Sequence, residues 1–463
     1  MPSPDPSLTP ESRRIVWIAI LGVFVAQLPI NALSVSLTTI ADATGATTAQ
    51  LQWVQAIYLL SMTVSALTAT AFAVNFGRKR VMVTAATLMV VGEALGIVAS
   101  LSGDYAIPVL WAGQFFAGIG AGALVPTTLA TISTRVSDAR VRAGYIALWG
   151  TGTTAGLAFG AISSGVLLSV LPWGWLFVPN LILTLVTLVA ITVLFKETIK
   201  NRIGLDALGQ IFAVIAVISL VYGTIQAGAQ GILSWPALVS FAVALASGAL
   251  FAYRESNIAA PLMDLRLLRI PRFSAAGFAA AVALFSVLGT GFLFALFLGN
   301  AKNLDAFGIA SYIACMPGTA LVVSPLVGKL LSRIRPDLAL GSGLVLAAVG
   351  AFLLSRTTVD SDYLDVLWRI VIFGIAISLM FSSVSTVAVT SAPQAKASMA
   401  GAMNTSFRQF GGALGPAVIG SVYSTRLATG ASASGAFGVT MLVTTALLAL
   451  AAIGVFATAF SRA

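Results

Sequence analysis

The chain has 463 residues, 58% of them hydrophobic and only 9% charged, with 43 glycines and a mean hydropathy of +0.99. That balance excludes a soluble globular domain and reads as an all-α polytopic membrane protein, because apolar runs repeatedly exceed the roughly 20 residues that span a bilayer. One cysteine, Cys315, and no histidine exclude a disulfide framework, a zinc centre and a His general base, while the net charge of +10 comes with no basic-aromatic face for nucleic acid.

Taken in order, fourteen apolar stretches fall at about 15–38, 51–74, 81–101, 106–132, 143–170, 175–195, 205–227, 235–253, 273–299, 307–331, 338–356, 364–388, 399–423 and 435–459. They read as helices, since long apolar segments with interior Gly and Pro do not suit the alternating strands of an outer-membrane barrel. With the amino terminus on the cytoplasmic side, all of the 25 Lys and Arg residues lie inside except Lys302, Arg356 and Arg426 in outside loops and Arg369 and Arg408 in or near spans. The positive-inside rule expects that asymmetry, so both termini are read as cytoplasmic and the membrane as the inner membrane. Arg13 and Arg14 precede an apolar run too long for a signal-peptide core, which is read as a retained first helix.

Features recur at matching places along the chain. The basic turn "FAVNFGRKR" at 72–80 follows the second span, and "GKLLSRIRP" at 328–336 follows the tenth. Gly152, Gly156 and Gly160 in the fifth span and Gly411 and Gly415 in the thirteenth have the i, i+4 spacing that lets helix backbones approach closely. These matches imply two six-helix bundles, 1–202 and 273–463, with two transmembrane helices inserted at 203–253 and an amphipathic cytoplasmic connector at 254–272. Leu265, Leu267 and Leu268 of that connector are expected to lie on the membrane.

From "LQWVQAIYLL" at 51 to "GALGPAVIG" at 412, the chain resembles the major facilitator superfamily, and in particular its fourteen-span drug:proton antiporter branch. The most specific matches are "WGWLFVPN" at 173–180, "PLMDLRLLRIPRFSA" at 261–275 and "ASMAGAMNTSFRQFGGALG" at 397–415. The resemblance implies an alternating-access fold with a midplane cavity. It also exposes substitutions: Leu28-Pro29 stands where that family has Leu-Asp, and Gln114 and Ala117 stand where it has an Arg followed by Gln. Gly160-Ala161 replaces its Gly-Pro, Val74 and Ser332 replace the acids of the two basic turns, and Gly174 replaces an Arg between tryptophans.

Glu93 is the clear intramembrane acid, roughly 18 Å along its span at 1.5 Å per residue. It reads either as a proton-coupling group or as a carboxyl hydrogen-bonded to a neighbouring helix. Gln27, Asn31, Ser34 and Thr38 lie on one helical face, as a substrate-facing wall or as interhelical hydrogen-bonding groups. Gln114, Tyr58 and Trp53 could add to that wall, and Asn404 shares a face with Arg408. Arg408 either snorkels or helps to close the cytoplasmic end, where Gly77, Arg78 and Lys79 form the other part of the gate. Pro126, Pro317 and Pro416 fall inside spans, where they could support bends.

The expected activity is therefore secondary transport, multidrug-type efflux of small neutral or amphipathic compounds, with proton coupling in question because the family's acid and Arg are both replaced. An uncoupled facilitator, a lipid-handling transporter and a transport-inactive scaffold or sensor are the alternatives. No enzyme chemistry, metal or cofactor is expected, and no nucleotide-binding Gly-x-x-x-x-Gly-Lys element occurs. The expected partners are a small-molecule substrate, membrane lipids and protons, acting on a monomer.

Overall fold

The computed structural model describes residues 10–136, 138–195, 206–258, 261, 263–331 and 334–460. The 202/203 bundle boundary and Ser332 lie outside the described residues. Within them the chain folds into α1 (Pro10–Thr44), α2 (Thr48–Phe76), α3 (Arg78–Ala99), α4 (Ala106–Arg135), α5 (Ala139–Leu168), α6 (Val178–Leu194) and α7 (Ala207–Gln230). There follow α8 (Trp235–Asn257), α9 (Pro271–Asn300), α10 (Ala306–Leu331), α11 (Pro336–Leu354), α12 (Tyr363–Ser391), α13 (Ala397–Ala428) and α14 (Ala433–Phe460). Hydrocarbon offers backbone N–H and C=O groups no partner, so a chain this apolar satisfies them within helices.

Among the described residues, twelve helices are long and apolar enough to cross a membrane, and the protein is a multi-pass helical membrane protein. The fourteen apolar stretches of the sequence thus correspond to twelve such helices, plus α2 and α13. Those two carry much of the buried polar chemistry, Gln52, Gln55 and Ser61 on the first and Asn404 and Gln409 on the second.

Local signals fix the helix ends. Thr47 and Gln50 form a reciprocal capping box at the start of α2. Gly77, at φ +100°, makes the α2–α3 turn, a backbone conformation that a side chain would strain. Prolines open α9 and α11, where a missing N–H costs nothing.

Two compact units result, Met1–Leu205 with α1–α6 and Asp206–Ala463 with α7–α14. In the first, α1 packs on α5, α2 on α4, α3 on both α4 and α6, and α1 also on α4 and α6; in the second, each of these pairings recurs eight helices later. Helices α7 and α8 fall outside the repeat, pack on each other, and α7 also meets α13. Ser421 of α13 donates to the Thr224 carbonyl of α7 at 2.8 Å.

Glycine faces allow the tightest of these contacts. A Cβ on Gly156 would meet the Phe24 carbonyl of α1, one on Gly411 the Ala281 carbonyl of α9, and one on Gly118 the Tyr58 carbonyl of α2. The contacts advance in the same direction on both partners, Gly152, Gly156 and Gly160 against Ile20, Phe24 and Leu28, so α1 and α5 run parallel. Gly411 and Gly415 against Ala281 and Phe285 make α9 and α13 parallel as well. A Cβ on Gly174 would meet the Ser100 side chain, so the arginine of the family pattern would have to displace Ser100.

The connector between α8 and α9 is pinned by charge. Arg254 pairs with Asp206 at 2.5 Å, while Asp206 also caps α7 by accepting from the Gly209 N–H at 3.1 Å. Asp264 accepts from the Arg266 N–H and pairs with Lys396, just before α13. Leu267 is buried in protein, whereas Leu268 is exposed.

The Lys396 ammonium, first of all, holds the Asp264 carboxyl below the usual aspartate range. Its folded-state pKa is depressed, so the stabilisation is present above the unfolded pKa and disappears as pH falls through the folded one. Amide exchange over 263–270, corrected for intrinsic rates, should therefore speed up on acidification below about pH 4, and Asp264→Asn should remove that step. Gly156→Leu and Gly411→Leu should each lower stability by about 1–3 kcal/mol or more in thermal unfolding of the detergent-solubilised protein. Gly454→Leu, in open space, should be tolerated.

Candidate functional site

The polar stripe of α1 is already partly engaged. Asn31 donates from Nδ2 to the Leu157 carbonyl of α5 at 3.1 Å, reaching it because the glycine face of α5 brings that backbone close. Ser34 donates to Ile30 of its own helix at 3.0 Å and accepts from Gln55 Nε2 of α2 at 2.9 Å. Gln27 is buried beside Gly156, and Thr38 is partly exposed. Tyr58 gives its hydroxyl proton to the Ala26 carbonyl at 2.7 Å, tying α2 to α1. Trp53 is partly exposed.

Sequence reasoning singled out Gln114 but missed two neighbours of the same chemistry. Gln52 and Gln55, three residues apart on one face of α2, and Gln114 on α4 are each at most 3% exposed. Gln52 Nε2, Gln55 Oε1 and Gln114 Oε1 all lack a hydrogen-bond partner. Helices α2 and α4 run parallel, with Trp111 donating to the Gln50 carbonyl at 3.3 Å and Gly118 against Tyr58, so Gln114 lies at the level of Gln52 and Gln55. A buried amide without a partner costs about 1–3 kcal/mol, and the i, i+3 spacing of Gln52 and Gln55 in an apolar run was the available signal.

Glu93 lies on α3 beside Gly92, which packs against Gly113 and Ala117 of α4 on either side of Gln114. It is 3% exposed between α3 and α6, where Asn180 donates from Nδ2 to its Oε1 at 2.7 Å. Asn180 Oδ1 and Thr184 Oγ1, one turn further along α6, have no partner.

At the α2–α3 turn, Arg78 donates to the Ala130 carbonyl at 3.3 Å and to Thr134 Oγ1 at 2.5 Å, both near the end of α4. Lys79 donates to the Thr192 carbonyl in the last turn of α6 at 2.7 Å. Val74, where the family pattern has an acid, is partly exposed. The second unit repeats part of this arrangement, with Arg335 at the start of α11 donating to the Ala459 carbonyl near the end of α14 at 3.2 Å.

Asn404 of α13 is buried and donates to Ser385 Oγ of α12 at 3.3 Å, while its Oδ1 has no partner. One turn on, the Arg408 guanidinium lies over the Phe381 ring at 5.6 Å, and its Nε is unpartnered. The structure thus groups Gln27, Asn31, Ser34, Tyr58 and Gln114 in the first unit and Asn404 with Arg408 in the second. Glu93 lies on the α3–α6 contact, near enough to Tyr58 to act on it electrostatically. Among the described residues no cluster of three or more His, Cys, Asp or Glu side chains could hold a metal.

Residues 19–416, nearly the whole helical region, match the family described as the Major Facilitator Superfamily. The chain belongs to that superfamily. This superfamily transporter is 30% identical over 406 residues, 87% of its length and 74% of the relative's, to the multidrug resistance protein Stp of Mycobacterium tuberculosis (strain CDC 1551 / Oshkosh). It is 28% identical over 429 residues, 90% of its length and 78% of the relative's, to a tetracenomycin C resistance and export protein of Streptomyces glaucescens. The multidrug efflux pump LfrA of Mycolicibacterium smegmatis is 27% identical over 432 residues, 90% of this chain and 83% of the relative. A POT family transporter solved with 5-aminolevulinic acid shares the fold at TM-score 0.70 and 16% identity, over 96% of each chain. The protein is a transporter of this superfamily and not an enzyme.

The Glu93–Asn180 bond tests cleanly in this transporter. Asn180→Ala strands a buried carboxyl oxygen and should cost about 1–3 kcal/mol of stability. Glu93→Gln keeps an acceptor oxygen in place and should unfold within a few tenths of a kcal/mol of the parent, both read by thermal unfolding in detergent.

Proposed function

We propose that this chain is a secondary transporter of the inner membrane that exports small neutral or amphipathic compounds by alternating access. In this reading all fourteen helices cross the bilayer and both termini are cytoplasmic. Residues 1–202 and 273–463 form two six-helix bundles, with α7 and α8 inserted and 254–272 a cytoplasmic connector. The observation that carries the substrate class is the buried, uncharged amide set of Gln52, Gln55 and Gln114, which offers both donors and acceptors but no counter-charge for a cation. Export as the direction is supported by the resistance and export relatives named above.

Gln27, Asn31, Ser34, Tyr58, Gln114 and Asn404 are proposed to meet substrate during the cycle. Gly77, Arg78, Lys79 and Arg408 are proposed as gate residues, the first three holding the α2–α3 turn against the ends of α4 and α6. The working unit is a monomer in contact with lipid. Glu93 is the proton-coupling candidate; its bond to Asn180 on the α3–α6 contact favours a structural carboxyl. An uncoupled facilitator is the second reading, favoured by Pro29, Gln114 and Ala117 standing in place of the family's acid, Arg and Gln.

Proteoliposomes with an imposed pH gradient separate these readings. Uphill movement abolished by Glu93→Gln makes Glu93 the coupling group, uphill movement that survives the substitution rules it out, and movement only down the substrate gradient identifies a facilitator. Gln114→Leu should reduce transport of neutral hydrogen-bonding compounds roughly two- to tenfold, the worth of one hydrogen bond. A panel of dications should be handled no better by cells carrying the protein than by cells without it; selective export of dications would overturn the substrate class.

A further inference from the structure

At the shared end of α9, α11 and α14 lies a cavity of about 280 Å³ lined by Arg272, Arg335, Pro336, Asp337, Thr458 and Ala459. At about 30 Å³ per water it has room for roughly nine waters. Its charge is not balanced. Arg272 grips Asp337 with two bonds, Nε to Oδ1 at 2.7 Å and Nη2 to Oδ2 at 2.9 Å, so this pair is neutral and both carboxylate oxygens are occupied. Arg335 spends one donor of Nη2 on the Ala459 carbonyl and is otherwise exposed, so most of its five N–H donors have no partner among the described residues.

The cavity therefore carries one net positive charge, two arginines against one aspartate, which suits a monoanion rather than a phosphomonoester dianion. The first turn of α11 adds to the field. It starts on Arg335 with no side-chain cap, so the Asp337 and Leu338 amides keep their hydrogens available at the positive end of the helix.

What stands beside the cavity favours a lipid over a free ion. Phe456 and Phe460 of α14 stack at 6.1 Å, Phe460 is 60% exposed, and Ile453 is 65% exposed on the same helix. An apolar surface next to a basic recess at the end of membrane-crossing helices matches the two halves of a phospholipid, headgroup phosphate and acyl chain.

We propose that this cavity seats the phosphodiester of an anionic membrane lipid, with Arg335 as its principal contact. Native mass spectrometry of the full-length protein, titrated with phosphatidylglycerol or phosphatidylcholine, tests it. The expected result is preferential retention of phosphatidylglycerol, weakened roughly fivefold by Arg335→Gln, about the contribution of one basic residue at a membrane surface. Arg335→Lys should keep most of the affinity, which separates loss of charge from loss of fold, and Arg356→Gln, in the turn after the opposite end of α11, should leave it unchanged. Equal retention of the two lipids, an Arg335→Gln variant that binds as the parent does, or equal weakening by Arg356→Gln would overturn the proposal. Displacement of the lipid by inorganic phosphate at the same concentration would also overturn it, by making the free ion the ligand.

Discussion

Two helices can lie at backbone contact only where no Cβ stands between them, and each unit of this protein contains such a parallel pair joining its first and fifth repeated helices. In the first, Gly152, Gly156 and Gly160 of α5 lie on α1; in the second, Gly411 and Gly415 of α13 lie on α9. Lipid supplies no hydrophobic drive between helices, so close packing of this kind has to hold the bundle together. It also decides where polar chemistry can go. Asn31 reaches the Leu157 carbonyl because the α5 backbone is near, and Gln27 sits against Gly156 for the same reason.

Polar groups inside the units fall into two kinds that differ in consequence. Asn31, Ser34 and Tyr58 have donors or acceptors committed to a neighbouring helix, so they serve as structural bonds whatever else they meet. Gln52, Gln55 and Gln114 retain amide atoms with nothing to bind, and such atoms persist where a passing ligand or water can satisfy them. Glu93 belongs to the first kind, since Asn180 already serves its oxygen. In the proposed cycle the first kind would hold each bundle together and the second would take and release cargo.

Much of this was legible in the residues, and the reasons are physical. Apolar runs of bilayer length show as helices because nothing else satisfies their backbone, and Gly at i, i+4 marks contact faces because only Gly permits them. The pairing of α7 with α13 was not legible, since Ser421 and the Thr224 carbonyl carry no pattern in sequence. Nor were Gln52 and Gln55 marked as more than part of a familiar segment; an amide in an apolar helix looks the same whether it is paired or idle. The expectation that Leu267 lies on the membrane failed at one residue's resolution, because a short 3₁₀ turn rotates it into the protein while Leu268 stays outside. Gly174, where the family pattern has an arginine, packs against the Ser100 side chain, a neighbour that the sequence does not mark.

The basic turns show how one contact can be kept by two different side chains. Lys79 holds the Thr192 carbonyl at the end of α6, and Arg335 holds the Ala459 carbonyl at the end of α14. Each cation sits at the negative pole of a helix, where it is favoured for electrostatic reasons alone. The acceptor in both cases is main chain, present whatever side chain occupies that position. Half of the contact is therefore out of reach of mutation, and the other half asks only for a cation long enough to arrive. Duplicated units can drift far apart in sequence under so loose a demand and still fasten their last helix in the same way.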